Sequence, residues 1–239
     1  MPEAPKFKRV LLKVSGEALM GEGAFGIDVG VLGRIAGEAV AAARGGTQIA
    51  IVVGGGNLFR GVAGAARGMD RARADHIGML ATVMNAIALA GAIDEAGGKG
   101  RALSAIPMEA LCGTYTRARA LECLDAGEIV ICAAGTGNPF FTTDSAAALR
   151  AAELNCDALL KGTQVDGIYE ADPRTNPGAR RFDTLTFAEA LNRDLKVMDT
   201  AAFALARDNA IPIIVFDINE TGSLDAVLAG TGRATLVSG

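Results

Sequence analysis

Residues 49–61 read IAIVVGGGNLFRG. Five apolar residues, four of them β-branched, run straight into three glycines with no polar side chain between them. A strand apolar on both faces belongs inside a sheet covered on both sides, the habit of parallel sheets. Glycines at its exit permit turns and close approach of backbone to a ligand. Successive free N–H groups there form an anion-binding concavity. The stretches LLKVSGEAL at 11–19 and IVICAAGTGNPFFTTDSAA at 129–147 repeat the pattern. Each passes into small residues and then reaches a charged or hydroxyl side chain, and a following helix start adds its dipole. Three such corners imply a site for several phosphates.

Working outward from these exits, the chain alternates strands and helices. Strand 8–14 is followed by a glycine-rich loop and a helix from Asp28 to Arg44, with Asp28 as N-cap and Gly45-Gly46 as stop. Strand 48–53 precedes a second glycine-rich loop and a long helix, Asp75–Glu95, closed by GGKG at 97–100. A strand at 101–104, a helix at 117–125 and a strand at 128–133 complete the first half. The second half starts with Thr142-Thr143-Asp144 capping the helix SAAALRAAEL, then strand DALLKG. The polar stretch VDGIYEADPRTNPGARRF at 165–182 reads as a long loop or irregular hairpin, and loops of that length often serve a site. A helix at 199–209, strand 211–216, helix 223–229 and strand 234–237 close the chain. The fold class is α/β, an open mainly parallel sheet between two helical layers. The 239 residues form one domain or two fused lobes, with a boundary near 140–160.

Composition removes several functions. A net charge of −4, no Trp and only two Tyr argue against nucleic-acid binding. Cys112, Cys123, Cys132 and Cys156 form no CxxC pair, so they read as ordinary buried small residues of a cytosolic chain rather than zinc ligands or disulfides. His76 is the only histidine, which leaves a Ser-His-Asp arrangement hard to build. The start MPEAPKFKRV is too short and too quickly a strand for a signal peptide. The apolar stretch at 80–93 is interrupted by Thr82 and Asn85, short of the ~18 residues a membrane span needs.

GEGAFG at 21–26 satisfies G-x-G-x-x-G, but Lys13-Val14-Ser15-Gly16-Glu17 separates it from the first strand, and the second strand ends in glycines rather than an acidic ribose ligand. A dinucleotide reading is therefore weak. No G-x-x-x-x-G-K-[ST] loop is present, since Lys99 is followed by glycine. Lys13, at a strand end two residues before Ser15-Gly16, is either a snorkelling lysine at a sheet edge or an ammonium aimed at phosphates outside the strand ends. Gly54-Gly55-Gly56-Asn57 with Arg60 is either a tight turn beside a surface arginine or a second anion corner. Asp75 is either an N-cap or a holder of ribose hydroxyls.

These residues resemble the bacterial-type UMP kinases of the amino acid kinase superfamily, over nearly the whole chain. The resemblance is carried by KRVLLKVSGEAL at 8–19, GGGNLFRG at 54–61, DHIGMLATVMNA at 75–86, GTGNPFFTTDSAA at 135–147, K-x-T-x-V-D-G-I-Y-x-A-D-P-R at 161–174 and LKVMDTAAFALARDN at 195–209. It implies the amino acid kinase (carbamate kinase-like) fold, with a UMP-binding lobe at about 1–150 and an ATP-binding lobe at about 151–239. It implies transfer of the ATP γ-phosphoryl group to UMP, giving UDP and ADP in pyrimidine nucleotide biosynthesis. Lys13, Arg60, Asp144 and Lys161 are the expected catalytic set. Lys13, Val14, Ser15, Gly16, Gly56 and Arg60 would lie along the ATP phosphates, with Thr163, Tyr169 and Asp172 at adenine and ribose. Gly55, Asp75 and the segment Thr136, Gly137, Asn138, Pro139, Phe140, Phe141, Thr142 and Thr143 would hold UMP, and Asp199 is an additional site residue. The resemblance further implies a cytoplasmic homohexamer, inhibited by UTP and activated by GTP through Gly21, Glu22, Gly23, Ala24, Phe25 and Gly26. It names no nucleic-acid or membrane partner.

The chemistry agrees. A nucleoside monophosphate loses its second proton near pH ~6, so its oxygen is a nucleophile at neutral pH without a protein base. Catalysis then reduces to alignment and charge neutralisation. Mg²⁺ is expected to arrive on ATP, with no protein carboxylate cage. Phosphorylation of a carboxylate or carbamate within the same superfamily is the rival enzyme reading, and a small-ligand sensor the non-enzymatic one.

Overall fold

The computed structural model describes residues 7–59, 68–193, 195 and 198–239. Arg60, expected at the phosphates, lies outside the described residues. In chain order the elements are β1 (Arg9–Val14), a 3-10 helix (Gly16–Met20), α1 (Val29–Arg44), β2 (Gln48–Val53), α2 (Arg71–Glu95), β3 (Gly100–Ser104), β4 (Gly113–Thr114), α3 (Arg117–Asp125), β5 (Ile129–Ala133) and α4 (Thr143–Glu153). Then follow β6 (Ala158–Thr163), β7 (Ile168–Tyr169), β8 (Arg181–Phe182), β9 (Thr184–Thr186), α5 (Phe187–Asn192), α6 (Thr200–Asp208), β10 (Ile213–Asp217), α7 (Ser223–Ala229) and β11 (Ala234–Ser238).

Among the described residues, nine strands form one sheet in the order β4-β3-β5-β2-β1-β6-β10-β11-β9. Every neighbouring pair is parallel except β10 with β11. β1 sits at the centre, bonded to β2 on one side and β6 on the other, so strands from both halves of the sequence share one sheet. β7 and β8 pair antiparallel within 165–182, an irregular hairpin.

Strand alternation divides the core in two. Val10, Leu12 and Val14 of β1 point into one layer with Leu32 and Ile35 of α1, Leu89 and Ile93 of α2, and Leu224 of α7. Leu11 points into the other, with Leu124 of α3, Ala147 and Ala151 of α4, and the edge-to-face pair Phe187–Phe203 of α5 and α6. Period-two alternation then puts Lys13 on the Leu11 face, beneath α4. In β6, Leu160 joins the first layer and Leu159 the second, so Lys161 falls on that same face.

Three helix boundaries differ from the sequence reading. α2 starts at Arg71 with Asp70 as N-cap, its side chain accepting from Arg73 N at 3.1 Å. Asp75 is therefore inside the helix and caps nothing; the Asp70 cap had been passed over in favour of the second aspartate. α4 is capped by Thr142, which accepts from the N–H groups of Asp144 and Ser145 at 3.0 and 3.2 Å. Asp144 stands in the first turn, so its carboxylate is free of capping duty. α5 was read as part of no element, although Thr186-x-x-Glu189 forms a complete capping box.

α2 is, by length and composition, a helix that could cross a membrane, yet half of its apolar window is buried against the protein. Leu89 and Ile93 are in the core, whereas Ile77, Leu80, Met84 and Ile87 are 38–56% exposed. These four are therefore not covered by the described residues of one chain.

Candidate active site

β1 and β6 place Lys13 and Lys161 as direct cross-strand partners. Two like charges side by side repel, and both side chains are nearly buried, 9% and 14% exposed. Asp144 resolves the conflict from the first turn of α4. Its Oδ1 stands 2.7 Å from Lys13 Nζ, and its Oδ2 accepts from Lys161 Nζ at 2.8 Å. Burial pushes the Asp144 carboxyl up, but the two ammonium groups outweigh it and hold the group below its ordinary value. Lys161 moves down as well. Burial is the main cause and the charge of Lys13 adds to it, against the attraction of Asp144. One carboxylate thus serves two lysines, and with all three ionised the cluster carries one net positive charge in a desolvated place.

The glycine corner sits beside this cluster. A Cβ on Gly16 would come within 2.7 Å of both Gly56 N and Asn57 Oδ1, and one on Gly55 within 2.8 Å of Gly78 O on α2. Both positions therefore require glycine. Asn57 and Asn85 lock the corner by mutual amide hydrogen bonds of 3.0 and 2.7 Å. Asn85 Nδ2 also donates to Gly54 O at 2.7 Å, and Asn57 Nδ2 to Gly26 O at 2.8 Å. The segment 21–26 is thereby tied to the corner, and its Phe25 is largely exposed.

A first cleft of about 180 Å³ opens between this corner, α2 and the segment 135–143. Gly55, Asp75, Thr136, Asn138, Phe141, Thr142 and Thr143 line it together with Gly56; Gly137, Pro139 and Phe140 do not. Asp75 accepts from Phe140 N at 2.8 Å and from Arg71 Nε at 2.9 Å, which fastens the loop to α2. Asp199 caps α6 through Ala202 N at 2.8 Å and accepts from Thr142 Oγ1 and, at 3.0 Å, from Ser145 Oγ. It joins the start of α4 to α6 rather than lining the cleft. Phe59, Arg71, Met79, Thr82 and Gly135 also line it. Thr82 was legible only as a polar break in an apolar helix.

A second cleft, about 270 Å³, is lined by Lys13, Ser15, Glu17, Lys161, Gly162, Thr163, Gln164, Val165 and Arg174. Ser15 accepts from Ala18 N at 3.3 Å as cap of the short 3-10 helix. Val14 is core, and Gly16 packs against Gly56 of the first cleft, so the two clefts meet at the glycine corner. Tyr169 and Asp172 do not line the second cleft. The Tyr169 hydroxyl donates to Asp166, and Asp172 pairs with Arg174 at 3.1 Å. Of the cysteines, Cys132 and Cys156 are buried, with burial pushing both thiols up to about 12, while Cys112 and Cys123 are only half-buried. Among the described residues no group of three or more His, Cys, Asp or Glu could hold a metal ion.

Residues 8–217 match the sequence model of the amino acid kinase family. The chain is 58% identical to the uridylate kinase of Brucella abortus over 238 residues, covering 100% of this chain and 99% of that protein. It is 57% identical to the uridylate kinase of Zymomonas mobilis, covering 99% and 98%. Among solved structures, the UMP kinase of Bacillus anthracis superposes with a TM-score of 0.92 at 38% identity, over 97% of this chain and 96% of that one. The UMP kinase of Ureaplasma parvum gives 0.93 at 36% identity, over 97% and 99%.

Proposed function

Because the chain belongs to the amino acid kinase family, among its bacterial-type UMP kinases, we propose that its two clefts divide the reaction between acceptor and donor. The reaction itself is transfer of the ATP γ-phosphoryl group to UMP, giving UDP and ADP, a step of pyrimidine nucleotide biosynthesis. UMP occupies the first cleft, within an N-terminal lobe of about 1–150. ATP occupies the second, within a C-terminal lobe of about 151–239. The supporting observation is the Lys13–Asp144–Lys161 cluster at the seam of those lobes, its net positive charge beside the glycine corner where the clefts meet.

In this reading the UMP phosphate dianion attacks directly, its second pKa being ~6. Lys13 and Lys161 stabilise negative charge on the group in flight, and the N–H groups near Gly55 and Gly56 orient it. Asp144 keeps both ammonium groups in place. Thr163, Tyr169 and Asp172 remain the proposed contacts for adenine and ribose, and Arg60 a further cation at the phosphates. Asp75 is proposed at the UMP ribose. The family uses Mg-ATP. The only carboxylate in the cluster is committed to two lysines, a donor set that suits a magnesium ion held by phosphate oxygens and water. Bound there, the ion would neutralise charge on the β- and γ-phosphates.

Self-association belongs to the same proposal. Ile77, Leu80, Met84 and Ile87 recur at spacings of three and four, the seam of two paired helices, and all four are exposed. A two-fold contact through α2 is consistent with the homohexamer the resemblance implies, in the cytoplasm, with UTP as inhibitor and GTP as activator acting through segment 21–26. Light scattering at micromolar concentration should give a mass near six chains, and a 24.3 kDa species would remove this part.

A coupled ADP-release assay with UMP, CMP, dUMP, acetylglutamate and aspartate tests the substrate. UMP should be turned over best. CMP presents a donor where uracil has an acceptor, and an unpaired polar group in a closed pocket costs about 1–3 kcal/mol. Comparable kcat/KM for CMP and UMP would overturn the assignment of the first cleft.

A further inference from the structure

The segment that walls the first cleft begins with two consecutive residues of positive φ, Ala134 at 59° and Gly135 at 58°. Glycine adopts this state freely, but alanine does not. Such backbone states persist only where the surroundings over-determine them. Two buried side chains from opposite layers supply that constraint. Thr82 of α2 accepts from Ala134 N at 2.8 Å while donating to Met79 O at 2.7 Å. Arg150 of α4, only 5% exposed, donates from Nη2 to Gly135 O at 3.2 Å.

A guanidinium in the apolar layer under α4 is costly unless it is paired, and its surroundings are built for it. Its Nη1 donates to Glu153 Oε2 at 2.7 Å, and its plane lies over the Tyr115 ring, 3.9 Å from the centroid. The Tyr115 hydroxyl donates to the same carboxylate oxygen at 2.7 Å. Nε has no partner. Arginine is therefore retained here without full satisfaction, and the contact to Gly135 O is what the group delivers toward the cleft. Arg150 itself does not line the cleft, whereas Gly135 and Thr136 do.

We propose that Arg150, held by Tyr115 and Glu153, is a positioning residue for the acceptor nucleotide. It fixes the Gly135 peptide, and with it the groups of Thr136 and Asn138 that line the cleft. This rests on UMP occupying the first cleft and goes beyond it, because Arg150 would act through the loop without touching either nucleotide. A guanidinium forks to two partners, and an ammonium cannot reproduce that geometry. Arg150→Lys should thus loosen the acceptor wall and spare the donor cleft.

The test is steady-state kinetics on the full-length protein and its variants Arg150→Lys and Tyr115→Phe, with UMP and ATP varied separately and CMP as competitor acceptor. The wild type is measured first: if it does not turn over UMP, the cleft assignment fails, independently of Arg150. Given that turnover, Arg150→Lys should raise KM for UMP about tenfold, the effect of losing one charge-assisted hydrogen bond. KM for ATP should stay within about twofold, and the preference for UMP over CMP should shrink, because only the acceptor wall has moved. Parallel shifts in both KM values, or no shift in either, would overturn the proposal. Should Arg150→Lys fail to fold, Tyr115→Phe decides. It keeps the stacked ring and removes only the tie to Glu153, and it should raise KM for UMP alone by about threefold. An unchanged KM for UMP in that variant counts against the proposal equally.

Discussion

The two clefts are walled by backbone of different kinds. Around the first, the polypeptide is held by side chains of α2: buried Asn85 grips Gly54 O, buried Thr82 grips Ala134 N, and Asp75, at the cleft wall, grips Phe140 N. Around the second, the outer wall comes from 162–182, where the polar pairs lie near solvent. Arg174 and Asp172 are 73% and 43% exposed, and Arg233, which pairs with Asp166, is 72% exposed. Buried hydrogen bonds fix geometry because breaking one strands a polar group away from water. Exposed ion pairs give little, typically about 0–1 kcal/mol. The first cleft is thus suited to discriminating a base by fixed donors and acceptors, and the second to gripping a flexible polyphosphate mainly by charge.

The largest effect should come from the charged cluster beside the corner where the clefts meet. Lys13→Ala removes an ammonium at the seam and leaves Lys161 and Asp144 as a neutral pair. The side chain stands at the end of β1, past the apolar packing of Leu11, so the fold should persist. The kcat is expected to fall ~10²–10³-fold, about the loss seen when one preorganised transition-state donor is removed. KM for UMP and ATP should change far less. A folded variant with near-normal kcat would break the idea that the seam does the chemistry.

Asp144→Asn should come next, with kcat lower by at least ~10²-fold. Thr142 supplies the α4 cap, so the loss cannot be put down to capping. Asparagine leaves two buried ammonium groups unneutralised, and the one already shifted down, Lys161, should give up its proton first. Lys161 must be protonated to act, so activity is present below its pKa and lost as pH rises through it. In the parent the alkaline limb of kcat should begin below the ordinary lysine value of ~10.4, and in Asp144→Asn it should move lower still. Stability follows the opposite limb for Asp144. Its depressed pKa contributes stability that is complete above about pH 4 and is lost as pH falls through the folded-state value. A pH–rate profile and acid unfolding of the two proteins check both signs. An alkaline limb unmoved by the substitution would show that Asp144 does not control the lysines.

How much of this was legible depended on whether the cause was local. The strand exits at 14–16, 53–56 and 133–137 were readable because glycine after a β-branched run has few other uses. Helix α1 and its Asp28 cap were readable for the same reason, with Asp28 Oδ1 accepting from Val31 N at 2.9 Å. The rest was non-local, and Lys13, Asp144 and Lys161 were brought together by the resemblance alone. No periodicity shows that Lys13 and Lys161, 148 positions apart, become register partners; that is settled when β6 adds to β1. β4, β7 and β8 are two residues each, too short to show any alternation. Nothing in the sequence singled out Arg150, because its Tyr115 and Glu153 partners meet only after α4 packs on the sheet. Asn85 and Thr82 did leave a signal, as polar breaks in an apolar helix, but it was spent on excluding a membrane span. Asp70 shows a local failure: two aspartates five residues apart both suited an N-cap, and the later one was chosen.

The smallest effect is expected in the outer wall of the second cleft. Asp172 was singled out for the ATP ribose, yet its carboxylate is engaged with Arg174, accepting from its backbone N and Nε at 3.0 and 3.2 Å and pairing with Nη2 at 3.1 Å. Those contacts hold its carboxyl below the ordinary value, the side-chain bond to Arg174 first. Asp172→Ala removes an exposed pair, so folding stability should not measurably change. Arg174, which does line the cleft, would be released to meet phosphate, and this gain opposes any loss at the ribose. KM for ATP should therefore move by no more than about threefold, under 1 kcal/mol, with KM for UMP unchanged. A tenfold rise confined to ATP would show that the outer wall reads the donor as strictly as the inner wall reads the acceptor, and the contrast between the two clefts would not survive it.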